Sequence, residues 1–184
     1  SMTEAESTAP LIDQSSSLAL MLTGGTLCND AILEHTEHGF SSVGDPTEGA
    51  LVVAAVRAGL WKEKLEEALP RVSELPFDSD RKRMTTVHKI EFPEKLPKAL
   101  KELIQSPAFH AHEPFLSVTK GSVDGLIEIS NRVWTEKEIV ALDHDWENRI
   151  LKAHDDLAQK GMRILGVAFR QCSGEALKPE CENL

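Results

Sequence analysis

The sequence predicts a single α+β domain, in which helices alternate with the strands of a mostly antiparallel sheet. The 184 residues suffice for one hydrophobic core, and 41% hydrophobic with 27% charged residues is ordinary for a globular protein. Apolar segments that begin at helix-capping residues alternate with short runs typical of strands. Two such runs flank the charged segment 78–83, DSDRKR, which predicts a hairpin with a charged tip.

The first half of the chain is predicted to follow a flexible N-terminal segment over residues 1–15, so that the domain proper spans residues 16–184. Ser16 or Ser17 is expected to cap a first helix, which Gly24 and Gly25 weaken. Pro46 suits the first turn of a second helix. The further elements predicted here are a hairpin over 31–42, helices over 48–58 and 62–69, and strands over 71–77 and 84–92.

The second half is predicted to contain one long helix over residues 135–160, which the capping pattern from Thr135 to Glu138 opens and Gly161 ends. The proline-rich segment 93–114 is interpreted as a surface excursion between strands. The other elements predicted here are helices over 98–105 and 122–129, and strands over 115–119 and 163–169.

The composition argues against several classes of protein. A net charge of −10 disfavours general nucleic-acid binding. The longest apolar run, residues 50–56, is far shorter than the roughly 20 residues that cross a bilayer. The three cysteines contain no CxxC pair, and Cys28 and Cys172 are expected to be buried thiols. We expect a piece of a longer protein, and the opening Ser1-Met2 is typical of a cloning remnant.

The segment 74–84, ELPFDSDRKRM, is the strongest indication of a ligand. It places the aromatic Phe77 beside two carboxylates and three consecutive cations, Arg81, Lys82 and Arg83. An aromatic face next to cations suits a purine that carries phosphates, because the ring can stack while the cations meet the charge. A solvated charged loop would have the same composition.

Three further segments extend this observation: GDPTEGAL at 44–51, TKGS at 119–122 and GMRILGVA at 161–168. In this order, the four segments resemble the nucleotide-binding (N) domain of P-type ATPases, with most similarity to type II cation pumps of the calcium-pump kind. The resemblance extends from the LCND sequence at 27–30 to the C-terminus. It implies a twisted antiparallel sheet flanked by helices, a pocket on one face, and a cytoplasmic domain of an integral membrane protein.

The resemblance also implies roles for individual residues. Phe77 would stack on adenine, and Glu48 would accept a hydrogen bond from the adenine amino group. Lys120 would lie in the pocket near adenine and phosphates, beside Gly121, which permits close backbone approach. Lys82 would be the second pocket lysine. For Phe77 and Glu48, a core aromatic and a favourable helix-start acid are the alternatives.

Arg163 would contact the phosphates by the same resemblance, while Met84 and Leu165 would line the pocket or belong to the core. Two positions depart from the family pattern. Ser79 stands where many calcium pumps carry an arginine, so Arg81 or Arg163 would have to supply that phosphate contact. KGSVD at 120–124 replaces the usual KGAPE.

The implied ligand is ATP, with Mg²⁺ carried by the nucleotide, and no protein metal site is evident. The implied protein partners are the phosphorylation and actuator domains of a parent pump. The motifs DKTGT, TGE and TGDG and the Walker sequence are absent from this chain, so it is not expected to be catalytic alone. The sequence does not identify the transported ion.

Other interpretations remain open. The spacing of Asp78 and Asp80 is found in metal-dependent phosphatases, and His35 with His38 or His110 with His112 could bind a metal. A protein-interaction module without nucleotide binding would also explain the acidic surface and the basic hairpin tip.

Overall fold

A four-stranded antiparallel sheet and a layer of helices form the centre of this structure, a computed structural model that describes Ile12 and residues 15–36, 39–105, 113–136 and 138–173. Within these ranges the helices are α1 (Ser16–Leu27), α2 (Pro46–Arg57), α3 (Lys62–Ala68), α4 (Lys98–Ile104), α5 (Val123–Ile129) and α6 (His144–Ala158). The strands are β1 (Ile32–Thr36), β2 (Gly39–Val43), β3 (Arg71–Asp78), β4 (Arg83–Lys89), β5 (Phe115–Gly121), β6 (Arg132–Trp134), β7 (Ile139–Ala141) and β8 (Gly166–Cys172).

The main sheet has the strand order β3-β4-β5-β8, and every neighbouring pair is antiparallel. Strands β1 and β2 form one separate hairpin, and β6 and β7 form another. The predicted α+β class is therefore confirmed. Neither this sheet order nor the small β6–β7 hairpin was predicted from the sequence.

Helix α1 lies between the sheet and the other helices. Ala19, Leu20 and Leu27 are buried in a core cluster with residues of α2, α3 and α4. Cys28, at the C-terminal end of α1, is buried against the sheet residues Met84 and Val118. Helix α1 and the residue that follows it thus contribute to two core clusters, one among the helices and one against the sheet. The helix therefore sets the spacing between the helix layer and the sheet.

The two glycines of α1 contact different neighbours. A Cβ atom on Gly24 would lie 2.6 Å from Cγ1 of Val167 and 2.7 Å from Cζ of Phe169, both on β8. A Cβ atom on Gly25 would lie 3.7 Å from Cδ1 of Leu51 on α2, which is an ordinary contact. The helix continues through the glycine pair to Leu27. Close packing against β8 requires a residue without a side chain at position 24, which explains the glycine there.

Helix caps follow local sequence in most places. The Asp45 side chain accepts hydrogen bonds from the backbone N–H groups of Thr47 and Glu48, with Pro46 in the first turn, as predicted for α2. The cap of α1 is Ser15 instead of Ser16 or Ser17, since its Oγ accepts from the backbone N–H of Leu18 at 3.1 Å.

The predicted helix over 135–160 is wrong in its first third. Thr135 and Glu138 form the turn of the β6–β7 hairpin, in which the Thr135 hydroxyl donates to the Glu138 carbonyl and accepts from the Glu138 N–H. Helix α6 begins only at His144, where Asp143 Oδ1 accepts from the backbone N–H of Trp146. A Thr-x-x-Glu pattern can serve either structure, because both use the threonine hydroxyl to satisfy backbone groups.

Two predicted strands have different ends in the structure. Strand β4 stops at Lys89 instead of residue 92, because the N–H groups of Glu91 and Phe92 donate to the carbonyl of Ala68 on the helix layer. Strand β8 begins at Gly166 instead of residue 163.

Most of the predicted flexible segment 1–15 lies outside the described residues, so its flexibility stays a prediction. Among the helices that the structure describes, none has the length and apolar character that crossing a bilayer requires.

We predict opposite effects on stability for alanine at the two neighbouring glycines. Gly24→Ala should lower the free energy of unfolding by about 1 kcal/mol or more, because its methyl group overlaps Val167 and Phe169. Gly25→Ala should raise it by about 0.5–1 kcal/mol, since alanine is the better helix former and its methyl group fits. Urea unfolding of both variants measures the difference, and equal effects would contradict this account of α1.

We also predict a loss of stability in mild acid that depends on His88. This fully buried side chain donates from Nδ1 to the Leu69 carbonyl, which only accepts, and its Nε2 therefore accepts from the Thr86 hydroxyl at 2.8 Å. Burial lowers the pKa of His88 from 6.5 to about 4.

Between about pH 6.5 and 4, the unfolded chain therefore binds a proton that the folded chain does not. As the pH is lowered through this window, the free energy of unfolding should decrease. His88 should account for up to about 3 kcal/mol of this decrease. In His88→Gln this part of the slope should disappear, as urea titrations at several pH values would show. His144→Gln, at an exposed histidine, is the control, and an unchanged slope in His88→Gln would contradict the assignment.

Candidate functional site

The ends of the four sheet strands meet at one edge of the sheet. Met84 on β4 lies opposite Lys120 on β5, and Lys120 lies opposite Val167 on β8. Gly121 is likewise opposite both Arg83 and Gly166. Because neighbouring strands run in opposite directions, the end of β3, the start of β4, the end of β5 and the start of β8 converge here. Four of the predicted site residues lie in strands that end or begin at this edge: Phe77, Met84, Lys120 and Gly121. Three lie in the chain segments that adjoin these strands: Lys82, Arg163 and Leu165.

The remaining predicted residue, Glu48, reaches the same edge from the first turn of α2. Its Oε1 atom lies 2.7 Å from Nζ of Lys120. The Lys120 side chain is 7% exposed and the Glu48 side chain 21%. The ion pair therefore links the helix layer to the sheet, and its carboxylate remains accessible from solvent while the ammonium group is almost enclosed.

A backbone N–H and a side-chain amide of the loop after α1 also hold Glu48. Its Oε2 atom accepts from the backbone N–H of Asp30 at 3.1 Å. Its backbone carbonyl accepts from Nδ2 of Asn29 at 3.0 Å. Both carboxylate oxygens thus have a donor, and the side chain has one defined orientation, in which remaining lone pairs can accept from a ligand.

The β3–β4 hairpin tip is fixed by backbone hydrogen bonds. Asp78 Oδ1 accepts from the N–H groups of Asp80 and Arg81 at 2.9 Å each, and hydrogen bonding from the Arg81 N–H holds the pKa of Asp78 below its usual range. Lys82 has a φ of 52°, in the left-handed region. Its carbonyl accepts from the Ser122 N–H at 3.0 Å, while its side chain is exposed.

Gly121 allows this hairpin tip to lie against the end of β5. A Cβ atom at position 121 would lie 2.5 Å from the Lys82 carbonyl oxygen and 2.9 Å from Cα of Arg83. From the sequence, this glycine was predicted to permit close approach to a ligand, whereas in the structure the group that lies close to it is the backbone of Lys82 and Arg83. The glycine therefore positions Lys82.

Phe77 and Met84 differ sharply in burial. The Phe77 side chain is 64% exposed at the end of β3, so the alternative of a core phenylalanine is wrong. Met84 is only 3% exposed and packs in the core cluster with Cys28 and Val118. The exposed Phe77 ring lies at the same end of the sheet as the ion-paired Glu48 carboxylate, which remains accessible from solvent, and this combination suits a planar, amine-bearing ligand.

Arg163 lies beside the first turn of α2, where its Nη1 donates to the Thr47 hydroxyl at 2.6 Å. Hydrogen bonds from the Thr47 side chain and backbone lower the pKa of Asp45, to which the charge of Arg163 also contributes. Leu165, half-buried, directly precedes β8. Arg163 thus contacts Thr47, the residue before Glu48 in the chain, and its predicted contact with phosphates stays a prediction.

Cys28 lies beneath the sheet edge and donates from Sγ to the Met84 carbonyl at 3.3 Å. Burial raises its pKa, so it remains a protonated thiol at neutral pH. Cys172 is also buried, which confirms the prediction for both cysteines.

The sequence analysis missed Thr47, Asn29 and Asp30 as parts of this site. Thr47 lies next to Glu48, and the pair Asn29-Asp30 belongs to the LCND segment that marked the beginning of the resemblance. A polar pair between an apolar helix and a hairpin was the available signal, because Asn29 is fully buried, although Asp30 is exposed, and a buried amide needs specific hydrogen-bond partners.

In the described part of the chain, no group of three His, Cys, Asp or Glu side chains is arranged to hold a metal ion. His38, His110, His112 and the side chain of His35 lie outside the described residues.

Comparison with known proteins identifies the class to which this fold and site belong. A family model described as "P-type ATPase, cytoplasmic domain N" matches residues 17–183. The chain therefore belongs to the family of cytoplasmic N domains of P-type ATPases.

Several bacterial proteins named as calcium- or cation-transporting ATPases are similar to this chain. The chain is 40% identical over 164 residues to the "Probable cation-transporting ATPase F" of Mycobacterium tuberculosis (strain ATCC 25618 / H37Rv), which covers 89% of this chain and 16% of that protein. It is 34% identical over 152 residues to the "Calcium-transporting ATPase 1" of Bacillus cereus (strain ATCC 10987 / NRS 248), which covers 83% of this chain and 14% of that protein. The chain thus spans about a sixth or less of these relatives.

We predict strong energetic coupling between Glu48 and Lys120. Lys120→Met should lower the free energy of unfolding by about 2–4 kcal/mol, because it leaves a largely buried carboxylate without its cation. Glu48→Gln/Lys120→Met should lose much less than the sum of the two single variants, since it removes both charges. Urea unfolding of the four proteins gives the coupling energy, and additive losses would contradict the ion pair.

Proposed function

We propose that this domain binds ATP at the sheet edge, with adenine stacked on Phe77. The single observation that carries the proposal is an aromatic side chain, 64% exposed, at the same end of the sheet as the Glu48–Lys120 ion pair, whose carboxylate remains accessible from solvent. A large exposed aromatic ring is costly in water, and stacking a base on such a ring contributes about 1–3 kcal/mol. Membership of the N-domain family supports the same interpretation.

Glu48 would identify the base. The carboxylate only accepts hydrogen bonds, and the exocyclic amino group of adenine is a donor. Lys120, which already pairs with Glu48 at 2.7 Å, would contact the nucleotide from the floor of the site. Met84 and Leu165 would contribute apolar surface beside the base, and Gly121 would keep the hairpin tip in place.

The phosphates would extend toward the cations at the rim. Lys82 is exposed at the hairpin tip, and Arg163 is exposed next to the start of α2. The positive end of the α2 dipole would add to the attraction for phosphate, although Glu48 offsets part of it. Mg²⁺ would arrive bound to the nucleotide.

The affinity should be modest, because the contacts are one stack and a few exposed charges. A dissociation constant near 1 mM corresponds to only about −4.1 kcal/mol. Weak binding suits a domain whose contribution to catalysis is to position the γ-phosphate and then release the product.

In the parent protein, the domain would present the γ-phosphate to a nucleophilic aspartate on a phosphorylation domain, and an actuator domain would complete the cycle. We propose that the parent is an ATP-driven cation pump, since the relatives are named as calcium- or cation-transporting ATPases. On this proposal the fragment binds ATP but does not hydrolyse it by itself.

The test is an amide-resolved NMR titration with a non-hydrolysable ATP analogue. In the wild type, shift changes should cluster at Glu48, Phe77, Lys82, Lys120 and Arg163. In Phe77→Ala the dissociation constant should rise by about fivefold or more, because the stack is lost.

Phe92→Ala is the matched control, since Phe92 is 39% exposed but follows β4 at the opposite end of the sheet. It should bind like the wild type. Equal weakening by both substitutions would contradict stacking at Phe77. A wild type that does not respond at millimolar ligand would favour an interaction module without nucleotide binding.

A further inference from the structure

Asn29 is a fully buried polar residue whose hydrogen-bonding groups are all used. Its Nδ2 donates to the carbonyls of Gly25 and Glu48, at 3.0 Å each. Its Oδ1 accepts from the backbone N–H of Ala31 at 2.8 Å. A buried amide with this set of partners fixes the geometry of the groups around it, because any displacement leaves a polar group unsatisfied.

The partners of Asn29 and of its neighbour Asp30 converge on one residue of the site. Asn29 holds the backbone carbonyl of Glu48, and the N–H of Asp30 holds the carboxylate atom Oε2 at 3.1 Å. Lys120 holds the other carboxylate atom. Asp45 Oδ1 accepts from the Glu48 N–H at 3.3 Å. Glu48 is thus restrained at its backbone and at both carboxylate oxygens.

The loop that carries Asn29 is itself held by two cations from other elements. Nζ of Lys62 donates to the carbonyls of Asn29 and Ala31 at 2.8 and 3.1 Å. Nη2 of Arg71 donates to the Asn29 carbonyl at 2.9 Å, and Nη1 lies 2.8 Å from Asp30 Oδ1. The restraint on Glu48 therefore extends to α3 and β3.

We infer that Asn29 is a positioning residue that sets the base selectivity of the site. It joins the Glu48 backbone to the 29–31 loop, and the Asp30 N–H of this loop holds the Glu48 carboxylate in one orientation. The inference rests on the proposed function. At position 6, adenine carries an amino group, which donates, and guanine carries a carbonyl, which only accepts. A carboxylate in a fixed orientation accepts a hydrogen bond from the adenine amino group and repels the guanine carbonyl. A carboxylate that is free to rotate can turn away from the guanine carbonyl.

The experiment measures the dissociation constants of ATP and GTP analogues for wild type and for Asn29→Ser. The readout is their ratio, GTP over ATP, because partial unfolding weakens both ligands equally and leaves the ratio unchanged. We expect the wild type to prefer ATP and the ratio to fall by about fivefold or more in Asn29→Ser, mostly through tighter GTP binding relative to ATP.

Two controls separate positioning from general destabilisation. Leu100→Val removes a buried methylene in α4, remote from Glu48, and should leave the ratio unchanged. In a Glu48→Gln background, which lacks the fixed carboxylate, Asn29→Ser should have no further effect on the ratio. If Asn29→Ser lacks a folded amide spectrum, Asn29→Thr, which fills more of the vacated volume, takes its place.

The outcomes separate this inference from the proposed function. A wild type that binds neither nucleotide overturns both. A wild type that prefers ATP, with the preference lost in Glu48→Gln but retained in Asn29→Ser and Asn29→Thr, overturns the role of Asn29 and leaves ATP binding intact. A ratio that falls equally in Leu100→Val also overturns it.

Discussion

The rest of the site depends on the ion pair between Glu48 and Lys120. Its two side chains come from different layers, one from the first turn of α2 and one from the end of β5, and their charged atoms lie 2.7 Å apart. Because both groups are largely removed from water, the loss of either partner would lower the stability of the fold substantially unless a ligand or water replaced that partner. The pair thus joins the layers mechanically and supplies the polar floor of the site.

Helix α1 allows that pair to form by setting how closely the two layers approach. Gly24 permits the close contact with β8, whereas position 25 has room for a methyl group beside Leu51 of α2. At its C-terminal end, Asn29 links this same helix to Glu48. One short segment, residues 24–29, therefore contains both the glycine that packs against β8 and the asparagine that is hydrogen-bonded to Glu48.

Features with local causes were predictable from the sequence, and features with distant causes were not. The start of α2 followed from Asp45 and Pro46, which act within one turn. The β6–β7 hairpin was missed because Thr135 and Glu138 satisfy backbone groups equally well in a turn and at a helix start. The resemblance singled out Glu48 and Lys120 individually. Their contact with each other and the hydrogen bond from Asn29 to Glu48 depend on three-dimensional packing across 72 and 19 residues of chain.

The antiparallel order of the main sheet has a consequence for how this surface comes into being. Its components lie on α2, on the β3–β4 hairpin, at the end of β5 and just before β8, so that no contiguous stretch of chain contains them. This surface is therefore incomplete until β8, the strand most distant along the chain, has joined the sheet. A molecule that binds to this surface binds only the completed fold and therefore stabilises it relative to partly folded forms. The fraction of protein that binds such a molecule would then measure the fraction that is fully folded.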